Sequence, residues 1–321
     1  MQNKGYTLIE ILCVLVIGLI CLSVFFDAFL TYRHTARIHF ALAETQENLR
    51  FAVQQLRHGI QFSGFSGCAR LDDLNIKKVG VSAYNSLSAN NFTRVCSGAD
   101  GHWSPALPDD LHIYPRKNTD VLVVHYLDQE SASLLRSFNG GDRVVVSELS
   151  SLKKNKDAML VDCLHGVEFS IRHVSVNRGI QTLYLPRRVQ DDFPIGSEVG
   201  QLKTEIFYIK DTGRSNQEGD DIYGLYLKNE SKSSTELIEG IINMRITPLA
   251  LDAHRVLFSI SPEQIKEGKR VVALNIELLA CSNSAPLIAP KAYFFGGKKI
   301  KPSDRRLYRS IRFFSLLPNR V

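Results

Sequence analysis

The side chains able to do chemistry fall into a few groups. Paired carboxylates occur at Asp109-Asp110, Asp191-Asp192 and Asp220-Asp221, the last with Glu218 close by. Such pairs can hold a calcium ion through oxygen ligands, although solvated loop charges are the commoner outcome. His34, His39 and His58 lack the i, i+4 spacing of a zinc pair, and no C-x-x-C occurs. Asn139-Gly140-Gly141-Asp142 reads as a turn before a strand, not a phosphate cradle. There is no G-x-S-x-G, P-loop or H-E-x-x-H. Lys298-Lys299-Ile300-Lys301 with Arg305-Arg306 forms a basic patch that could face DNA, an acidic surface or a partner subunit; a plain solvated face is the commoner outcome. These groups predict no catalytic residues, no metal and no cofactor, and a chain that is not an enzyme. A net charge of +6 over 321 residues is also too modest to argue for a nucleic-acid-binding face.

Glu10 is harder to explain as a bystander. It sits at the start of an apolar run from Ile11 to Phe26, extended past Asp27 by Ala28-Phe29-Leu30. A carboxylate inside a spanning helix costs a few kcal/mol and normally has a partner. A cationic amine at the same depth in a neighbouring subunit would serve. The stretch Tyr6–Leu30 would make roughly 37 Å of helix, enough to cross a bilayer. A conventional cleaved signal fits poorly, because the residues after the run, Asp27-Ala28-Phe29-Leu30-Thr31-Tyr32-Arg33, hold no small-residue cleavage site. Lys4 favours a cytoplasmic N-terminus, whereas Arg33 and Arg37 pull the other way.

The segment Lys4-Gly5-Tyr6-Thr7-Leu8-Ile9-Glu10 resembles the processing site of type IV pilins and type II secretion pseudopilins. The resemblance implies cleavage between Gly5 and Tyr6 by a membrane prepilin peptidase and N-methylation of Tyr6. It also implies that Glu10 pairs with the free amine of an adjacent subunit during assembly. The family residue after the cut is most often Phe, and Tyr6 keeps the aromatic ring. Many family members carry a Pro where this chain has Asp27, so a straighter helix is expected here. The resemblance places the N-terminus in the cytoplasm.

Beyond the apolar run, Ala36, Phe40, Ala43, Leu49, Ala52, Val53, Leu56 and Ile60 recur mostly at three- and four-residue spacings, with charged and polar residues between. This is the pattern of an amphipathic helix, continuous to about Phe62 and ended by the glycines of Ser63-Gly64-Phe65-Ser66-Gly67-Cys68. Strands are expected at Asp120–Tyr126, Arg143–Val146, Val167–Ile171, Thr182–Leu185, Glu205–Ile209, Gly224–Leu227, Val271–Leu279 and Ile311–Phe314. The sequence thus predicts an α+β, pilin-like fold, with one long N-terminal helix packed on an antiparallel sheet. Its parts are a leader over 1–5, a transmembrane or filament-core helix over 6–30, an amphipathic continuation over 31–62 and a strand-rich periplasmic domain over 63–321. Cys13 and Cys21 are read as packing residues. Cys68, Cys96, Cys163 and Cys281 face a compartment that permits disulfides, and of the three possible connectivities Cys68–Cys96 with Cys163–Cys281 is preferred.

The helix exit, Glu236–Arg245 and the segment from Arg305 through Arg320 resemble PilW-type minor pilins; residues 71–234 match nothing recognised. The resemblance implies a minor pilin that primes type IV pilus assembly, anchored in the inner membrane by a single pass and later part of the pilus, at its tip. Its partners would be other minor and major pilins, the prepilin peptidase and the assembly platform. A type II secretion minor pseudopilin, or a tip adhesin or DNA-uptake subunit using Lys298, Lys299 and Arg305, are the alternatives. An anchored enzyme is a third.

Overall fold

The computed structural model describes residues 8–68, 74–81, 87, 92–108, 111–229, 233–252, 254–266 and 271–320. Helix α1 (Leu8–Phe62) is unbroken over 55 residues, about 82 Å. It contains no Pro, and its only glycines are Gly18 and Gly59, so the i to i−4 ladder is uninterrupted through Asp27. Gly64, at φ 76°, turns the chain out of the helix, and its N–H then donates to His125 O at 2.9 Å. A Cβ at Gly64 would stand 2.7 Å from Phe92, and one at Gly59 only 2.6 Å from Phe207. The missing side chain at Gly59 lets the last turn of α1 rest directly on the sheet.

Eighteen strands follow among the described residues. The main sheet has nine: β1 (Asn75–Val79), β2 (Thr93–Ala99), β3 (His102–Ser104), β4 (Val121–Ser133), β6 (Asp157–Val161), β7 (His165–Ser170), β10 (Glu198–Ser215), β11 (Asp221–Lys228) and β12 (Thr235–Glu239). Its 18-residue strand β10 pairs antiparallel with β4, β6 and β11. Among the described residues the one departure from antiparallel pairing in this sheet is β1, which runs parallel to β7. A second sheet has the order β14 (Leu257–Ser259), β13 (Ile241–Leu251), β15 (Val271–Cys281) and β18 (Tyr308–Leu316). A third is β5 (Phe138–Ser147), β9 (Ile180–Phe193) and β8 (His173–Asn177); β16 (Tyr293–Phe295) and β17 (Lys298–Ile300) form a separate hairpin. A short helix, α2, spans Pro262–Lys266.

Strand alternation sorts the side chains into layers. On β10, Leu202, Phe207 and Ile209 face the core that contains α1, whereas Ile206 and Tyr208 face the opposite side. The α1 side holds Leu49, Ala52, Leu56 and Ile60 together with Leu122, Met244, Leu274, Ile276 and Phe313. Both large sheets therefore share one core with the helix. On the far face, Phe138, Val144, Leu183 and Phe193 of the three-stranded sheet pack on Leu160, Val167, Phe169 and Val199.

The buried stripe of α1 begins at Ala41 and continues through Thr45, Leu49, Ala52, Leu56 and Ile60. Phe40, assigned to the stripe from sequence, is 78% exposed, and Ala43 is exposed as well. One residue of phase separates Phe40 from Ala41, and the sheets select Ala41. The Asn139–Asp142 segment lies inside β5, where the register shifts twice, and not in a turn before it.

The disulfide joins Cys68 to Cys163, with a Cα–Cα distance of 5.3 Å, so neither Cys68–Cys96 nor Cys163–Cys281 forms. Alternation along β2 explains why Cys96 does not reach Cys68. Val95 points to the α1 side, where Cys68 emerges, and Cys96 points through the sheet to Leu111, Val121 and Val123. Cys281 lies on the outer side of β15 beside Ile242, Leu279 and Phe295. Closing the Cys68–Cys163 loop of 95 residues is worth roughly 4–5 kcal/mol in a chain-entropy account.

Asp120, 2% exposed, ties the two large sheets together. Its Oδ2 accepts the Ile246 N–H of β13 at 2.7 Å. Its Oδ1 accepts from Ser97 Oγ at 3.0 Å, the Gly98 N–H at 3.1 Å and Arg245 Nη1 at 3.3 Å. Burial pushes the carboxyl above its usual range, against these donors. Asp120→Asn puts an NH2 where N–H donors converge. It should lower the unfolding free energy by about 2–4 kcal/mol in a denaturant titration; a loss below about 0.5 kcal/mol, within the range of ordinary surface changes, would remove the role assigned here.

His125, 1% exposed, has its Nδ1 2.8 Å from Thr204 Oγ1. Burial, and then the charge of Arg94, pushes its pKa down to about 3, against about 6.5 in an unfolded chain. The unfolded chain thus holds the extra proton between these values. This stability is complete above about pH 6.5 and is lost toward pH 3 at about 1.4 kcal/mol per unit. The denaturant midpoint should fall between pH 7 and pH 5, and His125→Gln should flatten that slope.

Candidate functional site

The functional element is built from the helix upward. From Leu8 to Phe40 no residue of α1 is buried, a stretch of about 50 Å. Leu8, Ile9, Val14, Ile17, Leu19, Val24, Phe25 and Phe26 are all at least 58% exposed. Such a continuous apolar surface is not left in water; it marks a contact with lipid or with other protein. Among the described residues this is the one helix long and apolar enough to cross a membrane.

Glu10 lies in the first turn of the described helix, exposed and flanked by Ile9 and Ile11. Asp27 is also exposed. Its helical neighbours at three and four positions either way are Val24, Ser23, Leu30 and Thr31, none of them cationic, so the spacing that pairs charges along a helix supplies no partner. Asp27 stands about 28 Å beyond Leu8, near the far edge of a hydrocarbon core. Cys13 and Cys21 are exposed on the same apolar stretch. Gly5 and Tyr6, the cleavage and methylation positions, lie outside the described residues.

The lower half of the head is fastened to the helix by polar contacts. Asn48 Nδ2 donates to Glu239 O at 3.1 Å, and Asn283 Nδ2 donates to Glu44 Oε1 at 3.0 Å and Glu239 Oε1 at 2.5 Å. Burial, and then the Glu239 charge, raises the pKa of Glu44. At the other end Asn319 Nδ2 donates to Ser63 O at 3.0 Å.

The remaining candidate residues are dispersed. Asp109-Asp110 lie outside the described residues. Asp191 pairs with Lys77 at 2.6 Å, far along the chain from Asp220. Asp220 faces Arg306 at 3.8 Å and Asn216 Nδ2 at 3.2 Å, and the Glu218 N–H is folded onto Asn216 Oδ1. Among the described residues no group of three His, Cys, Asp or Glu side chains converges as metal ligands would. Lys298, Lys299 and Lys301 are exposed on and beside the β16–β17 hairpin, as is Arg305. Arg306 leaves this patch: it is largely buried, paired with Asp304 at 2.8 Å. The exposed Arg312 of β18 lines the same cleft as Lys298, whereas Arg309, three residues earlier on the strand, faces the other way. Period-two alternation on β18 was the signal that could have separated the two.

The first 26 residues match the family model of the prokaryotic N-terminal methylation motif. That motif is the mark of type IV pilin-like prepilins. It spans Gly5, Tyr6 and Glu10 and most of the exposed apolar shaft. Neither a curated protein nor a solved structure matches the chain. The motif, the exposed helix and the sheet-rich head are together consistent with a membrane-anchored, pilin-like prepilin processed by a prepilin peptidase and assembled with other pilins. The full chain should therefore stay with the membrane fraction in alkaline carbonate and be released by detergent. Release by carbonate would exclude an embedded shaft.

Proposed function

We propose that this chain is a minor pilin of the PilW type, a structural subunit that primes type IV pilus assembly and not an enzyme. The observation carrying this reading is the methylation motif on a helix that is exposed at every position from Leu8 to Leu30. The precursor inserts with its leader in the cytoplasm, Lys4 retaining it there. The peptidase cuts between Gly5 and Tyr6 and methylates Tyr6. Glu10 then sets the subunit's height by pairing with a neighbour's terminal amine, an ion pair whose low-dielectric setting makes an unmatched charge expensive. Neighbouring apolar helices replace lipid around Leu8–Leu30 as the shaft enters the filament. The head stays on the periplasmic side, where Cys68 and Cys163 can remain oxidised.

The size of the head supports a minor subunit over a repeating one. Beyond the helix–sheet core it carries a second core under a separate three-stranded sheet, bulk that every copy in a filament wall would have to accommodate. A type II secretion minor pseudopilin shares the anchor and the processing step, and is the alternative machine.

Mass spectrometry of the mature N-terminus tests the reading directly. N-methylated Tyr6 is expected in cells with an active prepilin peptidase, and an intact Met1 there would overturn it. Glu10→Ala should leave cleavage unchanged and reduce surface pili, counted by electron microscopy; undiminished pili would remove the role given to Glu10.

A further inference from the structure

The outer face of the second sheet, opposite α1, carries an ordered polar surface. Pairing places Arg245 of β13 beside Glu277 of β15, and Glu277 beside Arg312 of β18, in a row across three strands. The next row begins Thr247 and Asn275. Between β15 and β18 the chain makes a detour of some 26 residues and returns as the β16–β17 hairpin, which folds back over this face. The hairpin is fixed in place: Gly296 N–H donates to Glu277 Oε2 at 3.1 Å, Ser310 Oγ donates to Phe294 O at 3.2 Å, and Tyr293 stacks on Tyr308 with ring centroids 4.5 Å apart. Phe295, 5% exposed, anchors it in a small apolar cluster. Floor and roof enclose a cleft of about 540 Å³, within the size range of small-molecule sites.

The groups lining the cleft are unevenly satisfied. Arg245 is spent on Gly98 O and Asp120 Oδ1, at 3.2 and 3.3 Å. Arg312 gives one nitrogen to Glu277 at 3.3 Å, and its side chain is 60% exposed. Lys298 is exposed at the rim and has no ion pair among the described residues. At the floor, Asn243 Oδ1 is buried and has no hydrogen-bond partner among them. A buried, unmatched acceptor is costly and rare; here it belongs to a side chain that lines a cavity, the side from which a ligand could supply the missing donor. The cleft thus offers cationic donors at its rim, and amide and carboxylate groups below. An amide both donates and accepts, as does a hydroxyl, so this floor matches neighbouring hydroxyls, and the rim matches a carboxylate. Apolar lining is limited to Phe295 and Ile300, which disfavours a greasy ligand.

We propose that this cleft binds an acidic sugar, its carboxylate held by Arg312 and Lys298 and its hydroxyls by Asn243, Asn275 and Glu277. The inference stands apart from the filament reading and gives the head a ligand of its own. Saturation-transfer NMR on the full chain in detergent micelles tests it, with D-glucuronate, D-glucose and acetate as probes. Glucuronate should give a saturable signal, glucose should bind about tenfold or more weakly, and acetate should give none. Arg312→Ala and Lys298→Ala, both at exposed side chains, should each weaken glucuronate about tenfold, the loss of one charged contact, with the thermal unfolding midpoint unchanged. No saturable glucuronate signal, an acetate signal of equal strength, or glucuronate binding undiminished in the Arg312→Ala, Lys298→Ala double variant would each overturn the proposal.

Discussion

From Leu8 to Thr31 the side chains of α1 are exposed, from there to Phe40 only half-buried at His34, Ala36 and Ile38, and from Ala41 to Ile60 one face of the same helix is the centre of the main core. The rest of the molecule answers to that division. The apolar surface of Leu8 to Leu30, about 33 Å long, has to be covered by lipid or by protein from outside the chain. The second half has to be covered from within, and one sheet cannot do it. The nine-stranded sheet meets the helix through β4 and β12, and the four-stranded sheet meets it through β13, β15 and β18. Asp120 then links these two sheets at their seam, with one carboxylate accepting from β2 and β13 together.

Much of this plan was legible because it rests on periodicity. The apolar run, the amphipathic continuation and the stop at Gly64 are local signals, and eight strand windows read from alternation all fall on strands. What was not legible depends on pairing between distant segments. Cys96 looked near Cys68 along the chain, but β2 turns it to the other face of the sheet. Phe40 looked like a core residue by size, but the phase of the buried stripe is set by sheets more than 80 residues away. The parallel β1–β7 pair and the short strands β3, β14, β16 and β17 carry too few residues for a pattern. Asp120 stood in an otherwise apolar strand window and gave no hint of its four donors. Gly5 and Tyr6 were recognisable from the motif alone, which is where the match to the methylation model also lies.

The two faces of the second sheet have different occupants. Even-numbered residues of β13 and β15, among them Met244, Ile246, Leu274 and Ile276, serve the helix. Odd-numbered ones, Asn243, Arg245, Asn275 and Glu277, line the hairpin-roofed cleft. A single pleat thereby separates what holds the head on its helix from what the head can offer to a ligand, so either can change with little effect on the other.

The way α1 is gripped has a mechanical side. A pull along the helix axis reaches the head through the Ala41–Ile60 face, where side chains from both sheets interlock with it, so the load acts in shear over about 29 Å and many contacts must fail together. Past the helix the next covalent tie is the Cys68–Cys163 bond, which passes the load straight to the turn between β6 and β7 and bypasses the intervening chain, a sequence separation of 95. Under tension the covalent path thus skips that segment, of which β4 still shares the load through its packing on α1. Large loops can be carried there without becoming the place where the chain begins to unravel.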